Sequence, residues 1–531
     1  MASAVARASS IMASGTMVSR VLGFVKAMLL VLAIGQMSKS ADAFANGNQL
    51  PSTLYMVLAG GMLNSVLVPQ IVKAAQGKDG GAGYINKVIT LVSVALLGIT
   101  TIAMLAAPVI VWLLTLSWHS DQRALAVAFS YWCIPQVVFY GWYTLLGEVL
   151  NAKKVFGPFT WAPALANVIA IGGTIVFIVM FGANNNPPLD GWTPLSIAVL
   201  AGSATLGVAA QALILIFPWR KAGLRFRPDF HWRGVGLRQT GKIAGWGLAS
   251  IVVLQLGGVV TTNVINSASG QGPSLTAMTN AWLVFMLPHS VIAVSLMTAY
   301  FTGLSELGQS GRIDEFRVGF ASAAKQIVML MLFAAAALFM AAPFVSRVLW
   351  PSGTAEDIDT FASLLQFYSL GLAAYSLMFS VQRAFYALSD ARTPFLFMSA
   401  QLVALIVLTV PAAFMVDKAL LGFVYAGIWS MTTIIQALFA LWLLRRRMGS
   451  IGGADLLVSV IRYVIAVVPA LAVGLFLVYL CRSNFPDFGL VLAVVFALAC
   501  TAVMGIVYFA VMLALRAPEA KAVLARVLRR G

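Results

Sequence analysis

The sequence predicts an all-α polytopic membrane protein of about 14 transmembrane helices, and two observations carry that prediction. Hydrophobic residues make up 61% of the 531 residues and charged residues only 10%, with a mean hydropathy of +0.93. Apolar stretches longer than the roughly 18–20 residues needed to cross a bilayer recur along the whole chain. A third observation orients the chain. The net charge is +17, but the cations crowd the short segments between apolar stretches. That is the positive-inside pattern, so no nucleic-acid partner is implied.

In order, the expected spans are 10–35, 42–76, 86–117, 122–150, 158–182, 192–217, 243–267, 274–307, 317–350, 358–389, 394–415, 419–444, 456–481 and 487–515. Several exceed what a perpendicular helix needs, which predicts tilt or protrusion. The first has the early cation Arg7 ahead of it and no cleavage site after a short apolar core, so it reads as a retained helix. With the N-terminus inside, alternate connections hold about 27 of the 34 cations, whereas the other side holds Lys39, Arg123, Arg347, Lys418 and Arg482. An even number of spans then places both termini in the cytoplasm. Cys133, Cys481 and Cys500 lack disulfide or zinc-ligand spacing, and His119, His231 and His289 are scattered. Neither a metal nor a cofactor is indicated.

A duplication is legible at an offset of 236. Tyr131 to Phe159 falls on Phe367 to Phe395 with Pro158 on Pro394, and at nearly the same offset Leu50-Pro51 falls on Leu287-Pro288. Two pseudo-symmetric six-helix lobes follow, 1–217 and 243–447, joined by a basic linker at 218–242. Helices thirteen and fourteen (448–515) stand outside the repeat, ahead of a basic tail at 516–531.

The first span contains Arg20 and Lys26 within Ser19-Arg-Val-Leu-Gly-Phe-Val-Lys26. A cation deep in a spanning helix costs about 2.5–3.5 kcal/mol even on lenient scales, so it ordinarily faces a polar interior and functions there. The plain alternative is a cation satisfied by carbonyls or an acid. The second and eighth helices are the least lipid-like. Helix two carries Asn46, Asn48, Gln49, Asn64 and Pro51, and helix eight carries Thr276, Thr279, Asn280, Pro288 and His289. Amides and broken backbone at membrane depth suit either a wet cleft, which Asn48 and Asn280 would line, or interhelical hydrogen bonding. Asp42, at the start of helix two, would pair with Arg20 or Lys26, gate the mouth, or simply favour a helix N-terminus.

Together with Ala41-Asp-Ala-Phe44, Asn48-Gln-Leu-Pro51, Val68-Pro69, Glu148-Val-Leu-Asn-Ala152 and Ala384-Phe-Tyr-Ala-Leu-Ser-Asp-Ala-Arg-Thr-Pro394, the string Ser19 to Lys26 resembles the MurJ/MviN lipid II flippases. These belong to the multidrug/oligosaccharidyl-lipid/polysaccharide exporter superfamily. The resemblance covers most of 10–415. It implies fourteen helices in a V-shaped pair of lobes and export of lipid II, the undecaprenyl-pyrophosphate-linked peptidoglycan precursor, by alternating access across a bacterial plasma membrane. It also implies a lipid-tail groove on the last two helices, and it leaves cell-wall synthesis proteins open as partners beside membrane lipids. In that setting Arg20 offers a bidentate guanidinium to a pyrophosphate and Lys26 a compact charge. Some ten residues into its helix, Arg20 is expected roughly 15 Å deep. Glu148, Asp390 and Arg392, with Lys154, become a candidate cytoplasmic gate, against local turn chemistry before Pro394.

The departures resemble the actinobacterial branch. Where many relatives have an arginine pair after the helix-two Leu-Pro, this chain has Tyr55 and Met56, and Leu283 stands where they have an arginine on helix eight. Lys73, Lys242, Lys325 and Arg383 are the available substitutes, each also readable as an interfacial cation. No acid lies between Asp229 and Glu306, where some relatives place a sodium ligand. Gly236 to Lys242 imitates a phosphate-binding loop, but Ile243 replaces its Ser/Thr and no strand precedes it. The transport alternative is a drug or other polysaccharide-lipid exporter. The enzymatic one is a membrane transferase, which would gather acids or histidines at one face. The dense acidic group Glu356, Asp357 and Asp359 reads instead as a helix cap.

Overall fold

Every regular element that the computed structural model describes is a helix. It describes residues 2–62, 81–153, 155, 157–221, 226–231, 245–449 and 453–520. Asn64, Val68-Pro69, Lys73, Lys78, Lys154, most of the 218–242 linker including Gly236 to Lys242, and the tail beyond 520 lie outside the described residues.

In chain order the helices are α1 (Ala2–Ile34), α2 (Lys39–Met62), α3 (Ala82–Leu105), α4 (Ala107–Leu114), α5 (Ser120–Cys133), α6 (Gln136–Ala152), α7 (Gly157–Phe181), α8 (Pro194–Leu213), α9 (Ile216–Lys221) and α10 (Gly245–Asn266). There follow α11 (Leu275–Pro288), a π-helical turn (His289–Val294), α12 (Ser295–Gln309), α13 (Ile313–Leu349), α14 (Ala355–Ser369), α15 (Leu372–Ala387), α16 (Arg392–Met415), α17 (Lys418–Met448), α18 (Gly453–Asn484) and α19 (Leu490–Ala514). Among the described residues, twelve helical stretches are long and apolar enough to cross a membrane. Four of them are broken pairs: Ser120–Asn151, Pro194–Trp219, Leu275–Gln309 and Ala355–Ala387. The polar helix α2 and the short apolar helix Ile251–Asn266 occupy the other two expected positions.

Two of the helix breaks have identifiable causes. Pro135 has no N–H, so the ladder lapses between Cys133 and Gln136. Pro288 is followed by the π-turn, a common accommodation of a lost hydrogen bond. These breaks also keep the sequence offset of 236. Cys133 and Ser369 end helices, Gln136 and Leu372 begin them, and Lys39 and Leu275 begin another pair.

Two compact units result: Met1–Gly270 with Ser274–Thr276, and Gln271–Pro273 with Ala277–Gly531. The sequence groups α10 with the segment 243–447, but in the structure α10 packs within the first unit. Gln255 Nε2 donates to Thr53 O at 3.0 Å and Asn263 Nδ2 to Leu113 O at 2.6 Å. Around them, α2, α5, α7 and the turn before α8 meet in an aromatic cluster, with Phe129 5.3 Å from Phe44 and 5.0 Å from Trp192. Close helix approach there depends on glycine. A Cβ on Gly47 would lie 2.9 Å from that of Phe129, and one on Gly207 would lie 2.6 Å from Ala166 O.

The second unit is built on α13, against which α12, α14, α15, α18 and α19 pack. The buried Tyr508 hydroxyl of α19 donates to Met329 O at 2.9 Å. The acidic group before α14 is a cap. Thr354 Oγ1 accepts from Asp357 N while Asp357 Oδ2 accepts from Thr354 N, and Asp359 pairs with Arg482 of α18 at 2.5 Å.

Candidate functional site

Small residues recur every fourth position along α1, at Gly15, Ser19, Gly23 and Ala27, which puts them on one stripe. This stripe packs on α7. A Cβ on Gly15 would meet the Trp161 ring at 3.0 Å, and Asn167 Nδ2 donates to Ser19 O at 2.9 Å. Arg20 and Lys26, about 120° apart around the helix, flank the stripe on either side. Both are half-buried. The salt bridges among the described residues join His231 to Asp229, Arg312 to Glu315, Arg317 to Asp314 and Arg482 to Asp359, leaving Arg20 and Lys26 outside any ion pair there.

Their depths differ from expectation because α1 begins at Ala2 rather than near residue 10. Measured back from Ile34, Arg20 lies fourteen residues, or roughly 21 Å, along the axis and Lys26 eight residues, or roughly 12 Å. In a hydrocarbon layer of about 30 Å, Lys26 is therefore the nearer to the middle.

Asp42 does not pair with Arg20 or Lys26, and that expectation is corrected. Its carboxylate is fully buried and taken up by the first unit. Ser269 Oγ donates to it at 2.6 Å, Thr276 N at 2.9 Å, and Ser274 Oγ also donates. A second layer surrounds it. Asn46 and Asn266 exchange side-chain hydrogen bonds at 3.2 and 3.0 Å, Trp118 Nε1 donates to Asn266 O, and Gln122 Nε2 donates to Ser269 Oγ and Lys39 O. Within the first unit this knot binds α2, α5 and α10 to Ser269, Ser274 and Thr276, each polar group supporting the next. Reading only helices two and eight missed Asn263, Asn266 and Ser269. The signal was present as a run of amides and hydroxyls closing an otherwise apolar seventh span.

Asn48 belongs to a neighbouring seam. Its Oδ1 accepts from Gln136 Nε2 at 3.4 Å, and Gln136 also donates to Thr205 Oγ1 at 2.9 Å. Tyr55 donates to Thr144 Oγ1 at 2.5 Å and so fastens α2 to α6. Glu148 is half-buried near the end of α6. In the second unit Asn280 is buried on α11 and bonded within the fold, while Leu283 is half-buried. Asp390 does turn chemistry: its oxygens accept from Thr393 N at 3.0 Å and Thr393 Oγ1 at 2.7 Å. Arg392 is exposed at the start of α16. Arg383, on α15, lies over the rings of Phe379 and Phe301, its guanidinium carbon 5.1 and 5.7 Å from their centroids. Among the described residues no three metal-ligating side chains converge.

The sequence model of the lipid II flippase MurJ family matches residues 33–516. The chain belongs to that family. It is 26% identical over 389 residues to the probable lipid II flippase MurJ of Rhizobium tropici, covering 71% of this chain and 70% of the relative. It is likewise 26% identical over 389 residues to the lipid II flippase MurJ of Burkholderia cenocepacia, covering 71% and 72%. Among solved structures, a lipid II flippase MurJ in an inward closed conformation aligns over 94% of this chain and 99% of that one, with a TM-score of 0.71 at 17% identity. An inward-facing multidrug transporter of the MATE family aligns over 83% and 98%, with a TM-score of 0.65 at 14% identity. The two likenesses show the fold, an all-α polytopic membrane architecture, whereas the MurJ family match makes the chain a member of a transporter family rather than an enzyme family. That match begins after Arg20 and Lys26, so their assignment rests on the cations themselves.

Proposed function

We propose that this chain is a lipid II flippase of a bacterial plasma membrane. It moves the undecaprenyl-pyrophosphate-linked headgroup from the inner to the outer leaflet by alternating access, with both of its termini in the cytoplasm. The observation that carries this reading is the continuous MurJ family match over 33–516. The electrostatics support it. Arg20 and Lys26 are cations on a spanning helix without an ion-pair partner among the described residues. A pyrophosphate supplies the missing counter-charge, Arg20 as a fork and Lys26 as a flexible point charge. An inside-negative potential favours outward movement of the anion by about 2.3 kcal/mol per charge per 100 mV. The concentration of cations in the connections assigned to the inside supports the orientation.

The test is reconstitution in liposomes with labelled lipid II. Headgroups should change leaflet with the lipid's mass unchanged. A modified product would point to a transferase. Better competition by hydrophobic cationic drugs than by pyrophosphate lipids would point to a drug exporter.

A further inference from the structure

Along α15, Tyr375, Phe379 and Arg383 follow at intervals of four and share one face. His289, on the π-turn, packs between the first two of these side chains, 4.8 Å from Tyr375 and 5.3 Å from Phe379 by ring centroid, and shares a hydrogen bond with Ser376 Oγ at 2.9 Å. This column of rings ends at the guanidinium of Arg383, which Phe301 of α12 meets as a second aromatic partner. Both ring distances fall within the roughly 6 Å reach of a cation–π contact.

A guanidinium held by rings differs chemically from one held by a carboxylate. Ring contact restrains the planar group and removes it from water, but uses none of its five N–H donors. No described carboxylate forms a salt bridge with Arg383, and the side chain is half-buried. Its position is four residues, or about 6 Å, before the end of α15. This is inside the span, where an uncompensated cation is costly. Leu283 is apolar, and Lys325 on α13 is a half-buried ammonium without a planar fork.

We propose that Arg383 is the phosphate-recognising residue of the second unit, its donor fork held ready by Phe379 and Phe301 for the pyrophosphate of the transported lipid. This assignment rests on the flippase reading. It makes Arg383 a specificity residue that distinguishes pyrophosphate lipids from neutral polyprenols.

The experiment measures binding of lipid II, undecaprenyl pyrophosphate and undecaprenol to the purified full-length protein by native mass spectrometry, alongside liposome flipping. Arg383→Ala should weaken both pyrophosphate lipids about 10- to 100-fold, the loss expected for a charge-assisted hydrogen-bonded contact. Undecaprenol binding should be unchanged. Arg383→Lys should recover only part of the loss, and Phe379→Leu with Phe301→Leu should weaken pyrophosphate lipids about 3- to 10-fold by loosening the fork. A merely structural arginine would move all three lipids together. If Arg383→Ala destabilises the protein, the Arg383→Lys and double-Leu variants decide the matter by the same selectivity. Wild-type affinity for pyrophosphate lipids in a stable Arg383→Ala protein, or in both of those variants, would overturn the assignment while leaving the flippase reading intact. A wild-type protein with no preference for pyrophosphate lipids would overturn the flippase reading itself.

Discussion

Replacing Asp42 by alanine should release the 269–276 segment. The carboxylate accepts from Ser269 Oγ at 2.6 Å, Thr276 N at 2.9 Å and Ser274 Oγ. The Thr276 amide lies in the first turn of a helix, where N–H groups have no partner in their own helix, so alanine leaves it without an acceptor. A hydrogen bond to a charged group contributes about 1.5–3 kcal/mol, which at 1.4 kcal/mol per decade means that protection of the Thr276 amide should fall about 10- to 100-fold. Relief of the buried charge's desolvation opposes this loss, but the orphaned donors remain. Hydrogen–deuterium exchange of a peptide spanning 269–278, in protein purified in detergent, reads the effect directly. Asp42→Asn keeps a carbonyl oxygen for Thr276 and should lose less. Unchanged exchange in Asp42→Ala would refute the knot as a structural clasp and return Asp42 to the candidates for ligand contact.

Other outcomes follow from the same residues. Arg20→Ala should abolish complementation while expression and membrane insertion persist, since the side chain gives up no described ion pair, and Arg20→Lys should be partly active; full activity of the alanine variant would make Arg20 structural. A cysteine at Gly449 should be labelled only from the cytoplasm and one at Asn185 or Gly353 only from outside; the reverse pattern would overturn the orientation. Gly207→Ala should cost about 1–3 kcal/mol, read as a lower thermal unfolding midpoint, because the new Cβ would lie 2.6 Å from Ala166 O; no shift would mean that α7 and α8 separate freely. The connecting segment 226–231 docks on α3 through Asp229 N to Thr90 Oγ1 at 3.0 Å. The backbone N–H of His231 leads the influences holding the Asp229 carboxyl below its ordinary range. A depressed folded pKa gives stability that is present above the unfolded value near 3.9 and lost as pH falls through the folded one. Exchange protection in this segment should therefore withstand mild acid and decline only below about pH 4, whereas a decline already complete between pH 7 and 5 would refute Asp229 as the controlling group.

Fold class was legible because bilayer crossing imposes a length and a composition that twelve helical stretches among the described residues display openly. The break after Pro288 was legible for the same kind of reason, a missing N–H, whereas 122–150 read as one span and the break at Pro135 appears only in the structure. Tertiary allegiance was not. The placement of α10 in the first unit depends on Gln255 and Asn263 reaching carbonyls far away in sequence, and nothing local to 245–266 reports that partner. Asp42 shows the same limit. An acid at the start of a helix reads alike whether it caps that helix, pairs with a cation or collects serines, and only the fold brings Ser269 and Ser274 to it. Asp390 was easier because its partner, Thr393, is three residues away.

Five acids share one property that the half-buried cations Arg20, Lys26 and Arg383 lack. Asp42 is held by hydroxyls and an amide, Asp357 by the end of its own helix, Asp359 by Arg482, Asp390 by Thr393 and Asp417 by the amide of Ala419. None of these is free to neutralise Arg20, Lys26 or Arg383. Burying a cation without a partner is too costly to persist as packing alone. With these five acids committed to caps, a turn, an ion pair and a clasp, Arg20 and Lys26 on α1 and Arg383 between aromatic rings on α15 keep donors that suit an anion from outside the chain. The pyrophosphate of a lipid-linked precursor has the charge and the pairs of acceptor oxygens that such donors fit.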